Sequence, residues 1–396
     1  MQNQIVVYLT ILLNLSIGNQ LSGQTEQRAP CGQDFFMQSM AISKHQFQLD
    51  LNYFSALQRS QIIIPVVFHI VWNTNEENIS DELIINQLAT LNRDFNAQNQ
   101  DVDQVPDEFQ SLISGTGITF CLASETPSGQ PTNGIVRTHT NIEHIGVKDN
   151  LFFSSMGGSD AWNPDQYLNI WVANTGPFLS GFGTYPGQTT PKKTGVVIHP
   201  TFFGMNGHPR YGLGRTLVHE VGHYFGLYHV WSNDPLCEED DGVEDTPKQM
   251  HQHTGCPTHP QTSCTESDMF MNFMDYVDDP CMVMFTAGQK EKIWTNIYQF
   301  RSGLLSNTTG SYCINTKQKD DLSYVISPNP VTNDLTISFP FQEDGIFDIQ
   351  IYDILGRLHK DQKTLGNGQI VISLQHLEPG LYVIIIGKKS KTFVKL

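Results

Sequence analysis

Basic residues are scarce in this chain of 396 residues. Lys and Arg number 23 against 40 Asp and Glu, which gives a formal net charge of −17. No block rich in Lys or Arg stands out, and such blocks are what draws a protein to nucleic acid or to an anionic membrane surface. The composition therefore argues against both partners. Surplus carboxylates serve solubility, and in some proteins they bind hard cations such as Ca²⁺.

Long apolar runs are equally rare. Residues Ile5–Ile17 form an apolar stretch that is too short to span a bilayer comfortably, and the small residues Ser22 and Gly23 follow it. This pattern is typical of a secretory signal peptide, although Met1–Gln4 contains no Lys or Arg. No later stretch is long and apolar enough for a transmembrane helix. We therefore expect an exported chain with a signal peptide over residues 1–23.

Seven cysteines are present, and export makes disulfides permissible. Four lie close together, at Cys237, Cys256, Cys264 and Cys281, whereas Cys31, Cys121 and Cys313 are scattered. An odd total leaves at least one thiol unpaired or with another task, and the sequence does not fix the fates of Cys121 and Cys313.

Composition and periodicity divide the chain into segments. Residues 24–59 are polar and look like a pro-segment, residues 60–306 carry regular patterning, residues 307–322 form a polar linker, and residues 323–396 contain short alternating strands typical of a β-sandwich. Within 60–306, helices are predicted to start at Ser80, at about Leu213, and at Thr286, which forms a capping box with Gln289. Strands are predicted at Gln61–Val71, Ile118–Ala123, Gly134–Thr138, Tyr167–Ala173 and Gly195–Pro200.

One segment carries metal chemistry. His219 and His223 stand four residues apart in a predicted helix, so both can face one Zn²⁺, and Gly226 can end the helix and return His229 as a third ligand. Three imidazoles leave a fourth position for water, whose proton Glu220 can take. The five-residue core of this pattern also arises by chance on amphipathic helices, but the offsets of Gly226 and His229 make that explanation much weaker.

The eleven residues from His219 to His229 resemble the metzincin metalloproteases. The flanking segments are similar to one metzincin branch, the pappalysin family, over about Gln61 to Ser302. The resemblance rests on Tyr167–Val172, Leu227–His229, Asp241–Val243, Asp245–Pro247, Asn272–Tyr276, Phe285–Thr286 and Gly288–Gln289. It implies an α+β catalytic domain with a twisted mixed sheet, an active-site helix and an irregular C-terminal subdomain. It also implies a secreted zinc endopeptidase that acts on protein or peptide substrates.

The resemblance assigns further residues. Met274 matches the methionine that packs beneath the zinc histidines, and Tyr276 matches a tyrosine that stabilises the tetrahedral intermediate; without the family, both would be taken for core residues. Disulfides Cys237–Cys264 and Cys256–Cys281 are implied, as is a calcium site. The calcium ligands would be Asp241, the carbonyl of Val243, and Thr246, although a solvated acidic loop explains the same residues equally well.

Cys31 lies in the segment Ala29–Gly32, which resembles the cysteine switch of some metzincins. A thiolate from the pro-segment could occupy the fourth zinc position and keep the precursor latent. The alternative is a disulfide to Cys121 or Cys313, or no role at all. For specificity, an acidic residue near the Met-turn selects a basic substrate residue in some relatives. Asp278 and Asp279 are near, but Pro280 stands where the acid is expected.

The last block resembles the C-terminal sorting domain of Bacteroidetes type IX secretion cargo, through Ser327–Pro330, Ile351–Arg357 and Leu377–Val383. This resemblance implies a Gram-negative source of that kind, recognition by the secretion machinery and removal of the domain after export. By composition alone the block could be a carbohydrate- or protein-binding module. For the whole chain, the competing function is a zinc-stabilised adhesin or binding protein without hydrolysis, which would have no need of Glu220.

Overall fold

The computed structural model describes residues 30–32, 62–177, 179–307, 324–338, 344–367, 369–386 and 389–396. The predicted signal peptide, most of the predicted pro-segment, nearly all of the predicted linker and Cys313 lie outside these residues. Their bounds and roles therefore stay predictions.

A mixed sheet forms the frame of the larger unit. Its strands are β1 (Ile62–Trp72), β2 (Ile118–Leu122), β3 (Ile135–His139), β4 (Leu168–Ala173), β5 (Gly181–Gly183) and β6 (Val196–Ile198). The order is β2-β1-β4-β6-β5, and β3 pairs with the second half of β1. All pairs are parallel except β5 with β6. Strand β1 is an almost unbroken apolar run because it has neighbours along both edges and is covered on both faces.

Helices cover one face of this sheet. They are α1 (Asp81–Phe95), α2 (Asp107–Gln110), α3 (Arg215–Tyr224) and α4 (Ala287–Phe300). The predicted caps are present: the Ser80 side chain accepts a hydrogen bond from the Leu83 amide, and Thr286 and Gln289 form the capping box. Strands and helices share one hydrophobic core, and α3 is the most deeply buried helix, with all ten of its residues buried.

The long segment between α3 and α4 contains no helix or strand apart from a short 3₁₀ turn at Asp279–Cys281. Two disulfides tie it together, Cys237–Cys264 and Cys256–Cys281, which are the pairs that the family resemblance implies. Cys121 is also disulfide-bonded. The irregular segment has few backbone hydrogen bonds of regular secondary structure, and the disulfides keep it ordered instead.

The C-terminal unit is all-β, as predicted, and all pairs between its named strands are antiparallel. Its strands are β7 (Val325–Ser327), β8 (Asp334–Ser338), β9 (Asp344–Asp353), β10 (Leu358–Asn367), β11 (Gln369–Ser373), β12 (Gly380–Ile386) and β13 (Lys389–Lys395), in the order β13-β12-β9-β10-β11-β8-β7. The segment between β7 and β8 contacts the opposite edge of the sheet at β13. There the Val331 amide donates to the Val394 carbonyl, and the Leu396 amide donates to the Val331 carbonyl. A separate hydrophobic core fills this unit.

A buried histidine in the large sheet makes the stability of the fold depend on pH. His69 on β1 is fully buried; it stacks on Trp171 and hydrogen-bonds Ser159 and Asn169. Burial lowers the pKa of His69 from 6.5 to about 4. The unfolded chain therefore binds the proton more tightly, so the stabilising contribution is complete above pH 6.5 and is lost as the pH falls toward 4.

We expect the free energy of unfolding to fall by about 3 kcal/mol from this group between pH 6.5 and 4, since each tenfold change in proton affinity is worth about 1.4 kcal/mol. Urea denaturation at pH 7.5 and 4.5 measures the change. His69→Gln should reduce the pH dependence by that amount. If wild type and variant lose stability in parallel, another group is responsible.

Candidate active site

The start of α3 is fixed by a buried ionic network that the sequence did not reveal. The Arg215 guanidinium donates to Asp94 at 3.1 Å and to both carboxylate oxygens of Asp101 at 2.6 and 2.7 Å. Asp279 Oδ2 accepts the amides of Leu213 and Arg215. These contacts join α3 to α1 and to the segment after residue 274. A buried ionic network of this kind fixes geometry, and removal of one partner is destabilising because it leaves an uncompensated buried charge.

Three histidines converge at the other end of α3. The Nε2 atom of His223 lies 3.0 Å from Nε2 of His219 and 3.1 Å from Nε2 of His229. Ligands at about 2.0–2.1 Å from a tetrahedral Zn²⁺ stand roughly 3.3 Å apart, so the three nitrogens are placed as a shared ion requires. His219 and His223 are fully buried, and His229 is 7% exposed.

The other ring nitrogens are held by backbone carbonyls. His219 Nδ1 lies 2.7 Å from the Phe273 oxygen and His223 Nδ1 lies 2.7 Å from the Leu227 oxygen. Such contacts direct the Nε2 lone pairs toward a metal. Burial, together with the nearby charge of His229, holds the pKa of His223 well below its usual range, so the ring is neutral, which is the form that binds metal.

The turn after α3 follows the prediction. Gly226 has a φ of +89°, the left-handed conformation that ends the helix and returns the chain toward the metal position. Asn296 of α4 packs so closely that a side chain at Gly226 would meet its amide at 2.4 Å. An L-residue at position 226 would therefore be strained by the left-handed conformation and would have to displace the Asn296 side chain.

Met274 lies against α3, and Tyr276 lies beside the histidines. Met274 is fully buried, and its sulfur would be 2.5 Å from a Cβ at Gly222, so the helix and the methionine fit only because residue 222 is glycine. The Tyr276 ring lies 5.0 Å from His229 and 5.7 Å from His219. Trp231, which no sequence pattern singled out, stacks on His229 at 4.0 Å and packs edge-on against Tyr276 at 4.5 Å.

Cys31 enters the same cluster. Its thiol is buried and donates to Glu220 Oε2 at 3.2 Å. The sulfur and one nitrogen from each of His219, His223 and His229 all lie within 4.8 Å of one another. The predicted cysteine, glutamate and histidines are thus brought together in one buried group with an N₃S donor set, which suits Zn²⁺.

The edge strand β5 holds the segment around Cys31 in place. The Gly32 amide donates to the Gly181 carbonyl at 2.8 Å, and the Ser180 amide donates to the Pro30 carbonyl at 3.1 Å. The segment around Cys31 and strand β5 run in the same direction. The segment therefore lies along the strand edge where an extended peptide would bind by adding a strand.

The acidic loop at residues 238–246 has one buried carboxylate. Asp241 Oδ1 accepts hydrogen bonds from Thr246 Oγ1 at 2.7 Å and from the Val243 amide at 3.1 Å, while Oδ2 is buried without a hydrogen-bond partner among the described residues. The Lys292 ammonium donates to the Asp241 carbonyl. Burial raises the pKa of Asp241 to about 6.

Two comparisons of sequence identify the family. The model of peptidase family M43, described as pregnancy-associated plasma protein-A, matches residues 154–297, and the model of the secretion system C-terminal sorting domain matches residues 325–396. An extracellular metalloprotease of Arthroderma gypseum is 31% identical over 253 residues, covering 62% of this chain and 75% of that protein. The chain belongs to the pappalysin family of metzincin zinc metalloproteases.

Solved structures agree with this pappalysin assignment. Mature mirolysin of Tannerella forsythia, in complex with a cleaved peptide, is 42% identical with a TM-score of 0.60, covering 63% of this chain and 99% of that one. A promirolysin mutant from the same organism is 41% identical with a TM-score of 0.60, covering 63% of this chain and 87% of that one. This pappalysin is a secreted zinc metalloendopeptidase, and the non-catalytic adhesin is not favoured.

The acids considered for substrate selection in this pappalysin are occupied elsewhere. Arg210 binds both carboxylate oxygens of Asp278, at 2.7 and 2.9 Å, and Asp279 belongs to the network at the start of α3. Both carboxylates thus take part in bonds within the fold, and the basic preference considered from the sequence stays a prediction. Among the described residues, no helix is both long and apolar enough to cross a membrane.

Proposed function

We propose that the full-length chain is a latent precursor in which His219, His223 and His229 hold the catalytic zinc and Cys31 supplies its fourth ligand. The convergence of these four donor atoms within 4.8 Å carries the proposal. The residues fit the ion because the histidines are buried, oriented through Nδ1 and spaced as neighbours in one coordination shell.

Glu220 is the acid/base in this proposal. His219, His223 and His229 would hold the zinc, which when bound would supply Lewis-acid chemistry: polarisation of a peptide carbonyl and a water pKa of roughly 7. Glu220 is fully buried in α3 one residue from His219, and its Oε2 lies 3.2 Å from the Cys31 sulfur, which is the proposed fourth ligand. Once Cys31 has left, Glu220 can accept a proton from the attacking water and deliver it to the leaving amine.

Tyr276 is the proposed donor to the tetrahedral intermediate. Its ring is held against His219, His229 and Trp231, and Asp275 accepts the Tyr276 amide at 2.7 Å. A phenol fixed in this way can donate a hydrogen bond to developing oxyanion charge, an interaction worth about 100- to 1,000-fold in rate at comparable sites. The same contacts would also serve a purely structural tyrosine, so Tyr276→Phe, which keeps the ring, is the informative variant.

Metal analysis tests the assignment. We expect about one zinc per chain in the purified precursor, and removal of His223 as His223→Ala should abolish tight zinc binding. A matched change outside the cluster, His208→Ala, should leave the zinc content unchanged. Dialysis against a chelator should abolish cleavage of casein by the activated enzyme, and added Zn²⁺ should restore it. Retention of zinc in His223→Ala would contradict the proposed ligand set.

A structural calcium ion at Asp241, with the Val243 carbonyl and Thr246, is the second part of the proposal. The buried Oδ2 of Asp241 points to a cation, since burial of a carboxylate oxygen without a partner is costly. Lys292 offers competing positive charge at the Asp241 carbonyl, and this lysine must move if calcium takes that oxygen as well.

We expect calcium to raise the thermal stability of the wild type, by about 2.7 kcal/mol at 100 times its dissociation constant. Asp241→Asn should remove the calcium-dependent part. Glu238→Gln removes the same charge from an exposed position of the loop and should keep the response. Thermal unfolding with calcium and with chelator measures it, and an equal response of Asp241→Asn and wild type would refute the site.

The chain also carries a matched secretion sorting domain at residues 325–396. We propose that it directs a Bacteroidetes-type chain through the type IX machinery and is removed afterwards, with a signal peptide over 1–23, a pro-segment over 24–59, the catalytic domain over 60–306 and a linker over 307–322. Deletion of residues 323–396 should leave the enzyme inside the producing cell. Normal export of the truncated chain would reject the sorting role.

A further inference from the structure

A small pocket opens beside the edge strand β5. Its volume is about 220 Å³, and its apolar part consists of Val147, Phe152 and Phe182. Pockets that enclose a whole small ligand measure roughly 300–1,000 Å³. This pocket is therefore of a size for one side chain of a larger molecule.

The pocket lies on the far face of β5 relative to α3. Side chains added at Gly181 and Gly183 would meet Glu220 and the backbone of α3, so these positions face the active-site helix. Phe182, between them, faces the other way and packs with Phe152 and Trp171. The pocket continues along the strand through Gly183, Thr184 and Tyr185.

A peptide bound along β5 reaches this pocket with alternate side chains. Pairing with the edge is already seen for residues 30–32. A substrate gains the better hydrogen bonds by running antiparallel to β5. In that orientation, the substrate residues beside Gly183–Tyr185 come earlier in the substrate sequence than those beside Gly181, and Gly181 lies at the metal cluster. The pocket therefore faces substrate residues upstream of the cleaved bond.

Charged residues at the rim of the pocket also affect which side chains can enter it. Lys148 and Lys193 line the pocket, and so does Asp149, which pairs with Lys193 at 2.7 Å. The Lys148 ammonium donates to the Glu143 carbonyl at 2.8 Å. The rim thus carries a net positive charge in a chain whose net charge is −17. A basic side chain is repelled there, whereas an apolar one fits the phenylalanine floor.

We infer that this pocket is a specificity subsite, which takes a bulky apolar side chain upstream of the cleaved bond and rejects Lys and Arg. The inference rests on the proposed function, because it requires substrate to lie along β5 during hydrolysis. Phe152 and Phe182 provide the apolar surface, and Lys148 provides the discrimination against basic residues.

The test uses the enzyme activated from the full chain. The peptide substrates share one cleavable bond and carry Phe, Lys or Glu at one of the three positions upstream of it. We expect Phe to exceed Lys in kcat/KM by about tenfold or more at one position, within the range that a single pocket contact provides. Lys148→Glu should raise kcat/KM for Lys relative to Glu at that position alone. Lys192→Glu makes the same charge change outside the pocket lining and should leave the ratio unchanged.

A blocking variant completes the test. Val147 is 48% exposed at the pocket, so Val147→Trp can fill the pocket with little disturbance of the core. We expect this variant to lose the preference for Phe while it keeps its activity on peptides with Gly at that position. Equal rates for all side chains in the wild type, or equal shifts in Lys148→Glu and Lys192→Glu, would overturn the subsite alone. Absence of cleavage of every peptide would overturn the proposed function instead.

Discussion

Replacing Glu220 with glutamine is expected to lower kcat/KM for peptide hydrolysis by about 100- to 10,000-fold, the contribution of a positioned general base. Glutamine preserves the size and the buried position of the side chain but cannot accept the proton of the attacking water. Glu220 is not counted among the zinc ligands, so the zinc content should stay the same. Activity assays on the activated enzyme and metal analysis on the same sample measure both quantities.

The control for this prediction is Glu291→Gln. Glu291 is exposed on α4, so the same chemical change there should leave kcat/KM unaltered. A Glu220→Gln enzyme with normal activity would mean that zinc and the remaining residues suffice. That result would remove Glu220 from the mechanism and leave the role of its contact with Cys31 unexplained.

Replacing Cys31 with serine is expected to make the unprocessed chain active on small peptides, by on the order of tenfold or more. Serine is a poor zinc ligand at neutral pH, and a loss of about 1.4 kcal/mol in the closed state already changes its population tenfold. The two backbone hydrogen bonds between residues 30–32 and the β5 region would remain, each worth about 1 kcal/mol, so the release is partial.

Hydrolysis of a short fluorogenic peptide by intact precursor measures this release, with electrophoresis to verify that the pro-segment is still attached. The double variant Cys31→Ser, Glu220→Gln should be inactive, which separates release of the enzyme from contamination by another protease. A Cys31→Ser precursor as latent as the parent would show that the remainder of the pro-segment blocks the cleft without help from the thiol.

The sequence predicted those parts of the site that depend on local spacing. His219 and His223 are four residues apart in one helix, and Gly226 adopts the left-handed conformation that the position of His229 requires. The capping box at Thr286 and the strand at β1 were found from short patterns for the same reason. Met274 and Tyr276 came only from family resemblance, because in sequence they look like ordinary core residues.

Features made by distant segments escaped prediction. Strand β5 reads Gly-Phe-Gly, a poor strand sequence by propensity, and it forms because β6 offers a free edge while α3 packs against its glycine face. The Arg215 network joins residues more than 100 positions apart. Trp231 stands two residues after His229, and no spacing rule marks it as a stacking partner. Each depends on tertiary contacts that periodicity does not encode.

The two disulfides have a consequence for where the enzyme can work. Tyr276 and Met274 lie in the irregular segment that Cys237–Cys264 and Cys256–Cys281 close, so half of the site depends on bonds that form only in an oxidising environment. In the reducing cytoplasm the chain would have the helix with His219 and His223 but not the covalent frame of the opposite wall. The final placement of Met274 and Tyr276 is therefore expected after export, once both disulfides have formed.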